Sequence, residues 1–259
     1  VRVPAPASPS YPLATGVEAL PGGLAWLPQS RTLVAADVHF AYEDVVGGAL
    51  PLWSTDLIAA QLALAAARME AREIVFLGDA IHGSRMSEGA ARRVVAALAF
   101  LRERATITIV AGNHEGVTRG AETLGPAVDE LARDGWLLVH GDRPKATHDR
   151  VMIGHLHPSL RLDGSVTIPV FAAAERFIVL PALTPYSGGL NVLSSGWSRA
   201  VGRWTGAARE LHVVAAGEDA VYPFGFLAAL REALRSAPRP RPRPFGRRLQ
   251  TDRPLRNPD

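Results

Sequence analysis

Five times in this 259-residue chain a run of apolar, largely β-branched residues ends abruptly in carboxylate, imidazole or amide side chains. LVAA runs into Asp37-Val38-His39, IVFL into Gly78-Asp79, and ITIVA into Gly112-Asn113-His114-Glu115. WLLV runs into His140-Gly141-Asp142 and VMI into Gly154-His155-Leu156-His157. Short apolar runs bounded by glycine and polar residues read as buried strands. A chain that repeats the pattern must form a sheet with chemically rich residues gathered along one rim. In open α/β sheets that rim, at the carboxyl ends of the strands, is where ligand sites form.

The donor types restrict what such a rim can hold. Carboxylate oxygen and neutral imidazole suit Mn²⁺, Fe or Zn²⁺, and the chain has no cysteine. Thiol catalysis, disulfides and zinc ribbons are therefore excluded. Asp37 and His39 stand two residues apart, so an extended segment would point both to one side. Asp79, after a strand and a glycine, could bind two cations through its two oxygens, although a turn or capping aspartate is the ordinary explanation for such a residue. Asn113 offers a neutral oxygen, and His114 beside it can face a substrate. His155 and His157 place two imidazoles at one strand end, where two polar rings are hard to satisfy without a metal or several partners. Of these residues His140 has the readiest alternative explanation, as a half-buried strand histidine.

Between these segments the pattern alternates. Two short strands are expected over about 17–36, then a helix over 55–72 and a strand over 74–78. A helix over 87–104 follows, with Val94, Val95, Leu98 and Leu101 at helical spacing, and then a strand over 107–111. A helix is expected over 124–134, strands over 136–140 and 151–154, and later strands over 166–171, 176–181, 190–194 and 211–215. A last helix is expected over 224–235. Alternating βα units followed by a run of strands imply two packed sheets with helices outside.

Composition adds limits. Hydrophobic content of 47% and charged content of 20% fit a globular domain. No apolar run reaches the length of a membrane span, and the proline-rich start lacks the apolar core of a signal peptide, so a cytoplasmic protein is expected. Residues 1–16 read as a flexible segment, 17–237 as the domain, and 238–259 as a disordered Pro/Arg-rich tail. Seven arginines against two aspartates give the tail +5 and leave −2 for the rest. Such a tail reads either as a contact for nucleic-acid phosphates or as a solvated end shaped by composition alone.

Taken in order, the motifs D-x-H, G-D-x-x-H, G-N-H-E, a lone H and G-H-x-H resemble the calcineurin-like metallophosphoesterase superfamily over about Leu33 to Pro158. DVHFAYED, the histidine of GDAIHG, HGDRP, GHLHPS and LPALTPYSGGLN make the chain similar to a subgroup within it. That subgroup holds the DNA-ligase-associated damage-response phosphoesterases and their archaeal relatives. LTP before YSGG departs from the subgroup pattern. The resemblance implies a four-layer α/β/β/α sandwich of two mixed sheets with a site for two divalent cations, Mn²⁺ foremost, with Fe, Zn²⁺ or Mg²⁺ as alternatives. It implies that Asp37, His39, Asp79 and His157 hold one metal and that Asp79, Asn113, His140 and His155 hold the second, with Asp79 as bridge. His114 would then be the catalytic histidine that contacts the phosphate and protonates the leaving group. Glu115, Asp142 and Tyr186 are candidates for substrate contact or for supporting the ligands. The activity implied is phosphodiester hydrolysis, as a nuclease acting on DNA beside DNA repair proteins. The alternatives are a small-molecule phosphoesterase and, from another class, a scaffold that kept the fold and lost the chemistry.

Overall fold

The structure, a computed structural model, describes residues 7–47, 52–83, 86–114, 119–144, 149–162, 166–184, 186, 188–204 and 210–236. The first sheet has six strands in chain order: β1 (Tyr11–Ala14), β2 (Val17–Leu20), β3 (Leu24–Leu27), β4 (Thr32–Ala36), β5 (Glu73–Leu77) and β6 (Thr106–Val110). β1 to β4 pair antiparallel; β4, β5 and β6 are parallel. The parallel connections contain α1 (Tyr42–Val46), α2 (Ser54–Met69) and α3 (Glu88–Arg102). α4 (Arg119–Leu124) then leads to the second sheet.

That sheet contains β7 (Leu131–Arg133), β8 (Trp136–Val139), β9 (Val151–Ile153), β10 (Pro158–Arg161), β11 (Thr167–Ala174), β12 (Phe177–Val179) and β13 (Leu190–Asn191), with β14 (His212–Ala216) and β15 (Val221–Phe226) following. Its spatial order is β13-β10-β11-β12-β9-β8-β7, with β14 on β11 and β15 on β14. β8, β9 and β12 are mutually parallel neighbours, whereas β10–β11 and β11–β12 are antiparallel. α5 (Ser195–Val201) lies between β13 and β14, and α6 (Leu227–Ser236) follows β15.

Period-two alternation sorts the side chains into three apolar layers. Ile74 and Phe76 of β5 face α2 and α3, joining Ile58, Leu62, Val94 and Leu98. Val75 and Leu77 of the same strand point the other way, against Met152, Phe171 and Ile178 of the second sheet. Val151, Ile153, Val170 and Ala172 face outward again, onto Trp197, Val201 and Leu227 of α5 and α6. Helices, sheet, sheet and helices thus stack in four layers, the α/β/β/α sandwich of two mixed sheets expected from the sequence.

Several local expectations fail for identifiable reasons. Residues 11–14 form a strand, and Ser8 exchanges backbone hydrogen bonds with Val221, so a flexible segment cannot extend through residue 16. No helix covers 124–134. Asp134 and Gly135 both adopt positive φ and close a hairpin between β7 and β8. Asp-Gly is the turn chemistry that such a hairpin requires. The final helix begins three residues later than expected, because Val221–Phe226 is a strand. Among the described strands it pairs with β14, and beyond the bridge from Ser8 to Val221 its other side is an edge, so the missing N–H of Pro223 costs little. β10 and α5 were also not foreseen. The tail from residue 238 lies outside the described residues.

Candidate metal centre

β4, β5 and β6 end side by side in one sheet, and β8 and β9 end against them in the other. Asp37 follows β4, Asp79 follows β5 and Asn113 follows β6, while His140 follows β8 and His155 and His157 follow β9. The tight geometry depends on left-handed backbone: φ is +49° at Asp37, +50° at His39, +44° at Asp79, +59° at His155 and +42° at His157. Non-glycine residues held there store strain, and such residues cluster at functional sites. The extended arrangement expected to align Asp37 with His39 is therefore not the one found. His155 and His157 fall into different donor groups.

The first group is Asp37, His39 and His157; the second is Asp79, His140 and His155. In the first, His157 Nε2 lies 3.3 Å from Asp37 Oδ1. In the second, three atoms converge on His140 Nε2: Asn113 Oδ1 at 2.7 Å, His155 Nδ1 at 3.1 Å and Asp79 Oδ2 at 3.4 Å. A ring nitrogen carries at most one proton, so it can donate to only one of these three. The other lone pairs face each other. His39 Nε2 and His140 Nδ1 are buried and, among the described residues, have no hydrogen-bond partner. Asp37 and Asp79 are also buried, and the only basic side chains within 4 Å of them among the described residues are histidines. Buried carboxylates with no lysine or arginine, surrounded by converging imidazoles, are the surroundings in which a metal ion supplies the missing charge.

Protonation follows the same logic. Burial, reinforced by the rings of His82, His157, His114 and His140, pushes His39 down to about 2. Burial also holds His82 and His155 below the ordinary histidine value. His157 goes the other way: burial pulls it down, but the Asp37 and Asp79 carboxylates outweigh that and raise it. Burial thus favours the neutral, ligating form of His39 and His155, while the carboxylates favour the charged form of His157.

Glycines give the donors room. A Cβ on Gly112 would lie 2.1 Å from Asp79 Oδ1 and 2.2 Å from the Asp79 backbone nitrogen. One on Gly78 would lie 2.0 Å from His140 Nδ1, and one on Gly154 would lie 2.6 Å from Asp37 Oδ2. Backbone amides complete the frame. His155 N–H donates to Asp37 Oδ2 at 2.8 Å and His114 N–H to Asp79 Oδ1 at 3.0 Å.

His114 stands at the rim. Its side chain is 42% exposed, with Nε2 3.8 Å from Asp79 Oδ2. Asp142 sits close enough to His155 to favour its charged form, and otherwise pairs with Arg143 at 3.5 Å. Tyr186 lies further out, its hydroxyl donating to Glu43 at 3.5 Å. Glu115 is outside the described residues. Two residues given no role from sequence are in the site. His82 Nδ1 is 2.8 Å from His39 Nδ1, and its ring stacks on His114 with centroids 4.8 Å apart; Tyr42 packs on His82 at 4.7 Å. The signal was present, since both lie within DVHFAYED and GDAIHG, but neither offered a pairing that spacing alone could reveal.

No protein-family model matches the chain, and no curated protein does. Among solved structures it is similar to the Pseudomonas putida nuclease MPE, with a TM-score of 0.63 and 22% identity, covering 85% of this chain and all (100%) of that one. A second similarity is to YfcE, a phosphoesterase from E. coli, with a TM-score of 0.38 and 17% identity over 61% of this chain and 83% of that one. The first likeness is one of fold, extending over both sheets.

Proposed function

We propose that the chain is a dinuclear-metal phosphoesterase that hydrolyses phosphodiester bonds and acts as a nuclease on DNA. One observation carries this reading: two adjacent Asp/His groups, one from each pair of facing strand ends, with a half-exposed histidine beside them. On this reading Asp37, His39, Asp79 and His157 would hold one cation, and Asp79, Asn113, His140 and His155 the other. The oxygen and imidazole donors, without thiolate, favour Mn²⁺. Two such cations supply Lewis-acid polarisation of a phosphoryl oxygen and activation of water near neutral pH.

The chain's own residues do the rest. His114 donates a proton to the departing oxygen, and its position depends on the backbone hydrogen bond to Asp79 and on the stack against His82. Burial of both carboxylates keeps bulk water from screening the charge that develops there. The nuclease reading is supported by the shared fold with a protein that is itself a nuclease, and by the arginines of the tail as phosphate contacts. The subgroup resemblance supports a place in DNA repair. A second reading, hydrolysis of a mononucleotide or cyclic nucleotide, is favoured by a cavity of about 350 Å³ beside His157, lined by Ser159, Thr184 and Glu218.

The test is a substrate panel with Mn²⁺ and with EDTA: bis-p-nitrophenyl phosphate, cyclic nucleotides, and single- and double-stranded DNA. Chelator-sensitive hydrolysis of the diester and of DNA is expected. Turnover of cyclic nucleotides without DNA cleavage would favour the second reading. Equal rates with metal and with EDTA would overturn both.

A further inference from the structure

On the side of His39 and His82 the rim becomes aromatic. Tyr42, at the start of α1, has its ring 6.3 Å from His39 and 4.7 Å from His82. It stacks on Tyr186, with centroids 5.2 Å apart and planes 11° from parallel. Trp53, at the N-cap of α2, meets Tyr186 edge-on at 6.4 Å. The strip begins at the donor groups and runs outward: Tyr42 is half-buried, Tyr186 is 38% exposed and Trp53 is 51% exposed. Three separate segments of the chain supply the three rings.

The strip is held in place by polar contacts beneath it. Glu43, almost fully buried, accepts from the Ser54 backbone N–H at 3.0 Å, from the Ser54 hydroxyl at 2.6 Å and from the Tyr186 hydroxyl at 3.5 Å. One carboxylate thus ties the edge of Tyr186 to the residue after Trp53. Arg93 of α3 adds a second restraint, donating to the Leu52 carbonyl at 3.0 Å and pairing with Asp56 on either side of Trp53. Rings fixed in this way lose little side-chain freedom when something lies on them.

Flat apolar faces beside a centre that hydrolyses a phosphodiester call for a flat group attached to the phosphate. An alkyl ester offers no such face, whereas a nucleobase does. Inside a duplex both faces of a base are covered by its neighbours, so away from a duplex end only an unpaired base can lie on a protein ring. We infer that Tyr42, Tyr186 and Trp53 form a stacking platform for an unpaired nucleobase next to the scissile phosphate. The inference rests on the phosphodiesterase reading above and adds to it the group that selects the substrate.

The test compares a labelled single-stranded deoxyoligonucleotide with the same strand carrying abasic sites. Binding is measured by fluorescence anisotropy with Ca²⁺ in place of Mn²⁺, and KM for cleavage with Mn²⁺. One stacked base should make the wild-type protein bind the base-bearing strand about fivefold or more tightly than the abasic one. In Trp53→Leu and Tyr186→Leu that ratio should fall toward one, and Trp53→Phe should retain part of it. A loss in Trp53→Leu that is equal for both strands would overturn the platform, as would a wild-type ratio of one. Cleavage without any base preference would remove the platform and leave the phosphodiesterase reading standing. Base-dependent binding without metal-dependent hydrolysis would do the reverse.

Discussion

Asp79 and His114 lie 3.8 Å apart, yet the geometry gives them different tasks. Asp79 is buried within a donor group, whereas His114 reaches it through a backbone hydrogen bond and keeps its ring at the surface. Asp79→Asn is therefore expected to lower metal content and activity together. His114→Ala should retain metal and lose about 10²–10⁴-fold in rate, the range for a positioned general acid. Elemental analysis alongside initial rates checks both, and a His114→Ala protein short of metal would place that ring among the ligands instead. Gly112→Ala is a sharper probe, because its new methyl meets the Asp79 backbone as well as its carboxylate. A shift of about 1 Å there should cost about 100-fold in kcat/KM, with the far-UV spectrum unchanged. At this scale the donor residue types at the strand ends were legible in the sequence, whereas their division into two sets was implied only by the family resemblance. The left-handed backbone was not legible, because spacing along a strand assumes the extended conformation that Asp37, His39, His155 and His157 all abandon.

At the ends of the parallel strands remote from the site, Glu73 of β5 gathers Thr32 of β4, Thr108 of β6 and Arg133 of β7. Arg133 belongs to the second sheet, so this carboxylate fastens the sheets together where no metal can. Burial would raise the Glu73 pKa, but Arg133 and the two hydroxyls more than offset that and hold it below the usual carboxylate value. A carboxyl depressed on folding contributes stability above its unfolded pKa and loses it as pH falls through the folded value. Arg133→Met should destabilise the protein by about 1–2 kcal/mol at neutral pH, modest because the guanidinium is partly exposed. It should also flatten the decline in stability below about pH 4.5, measured by urea titration across pH. A decline of unchanged steepness would assign acid sensitivity to other carboxylates. Elements of strong period were readable from sequence, α2, α3 and β4 to β6 above all. The strands β1 and β15 were not, because Pro12 and Pro223 read as breakers and residues from 224 onward read as helix; on sheet edges prolines are tolerated. The Asp134-Gly135 hairpin was misread as helix because the apolar residues before it, Leu124, Val128 and Leu131, fall at helical spacing.

Across the whole molecule, each donor group takes its carboxylate from a loop of the first sheet and at least one imidazole from the second. Cations bound there would join the two halves of the sandwich. A ligand that binds only the folded state stabilises it by mass action, about 4 kcal/mol at a thousandfold excess over Kd. For a domain of this size that corresponds to a rise in Tm of about 8 °C or more. Thermal melts in Mn²⁺ and in EDTA check it, and identical midpoints would mean that the groups bind no cation tightly. Among the described residues no helix is long and apolar enough to cross a membrane. The four-layer order was inferable from alternating elements. The contact between the facing strand ends was not, because it depends on how two sheets pack rather than on any local pattern.

That shared origin also constrains how the chain can acquire its chemistry. Residues up to Asn113 supply both carboxylates, and the rings that complete each group arrive only with His140 to His157. A nascent or truncated chain that has formed only its first sheet carries half of each group and can close neither. Metal uptake would then report that both sheets have docked in register, and a chain still assembling would be spared an active centre before its fold is finished.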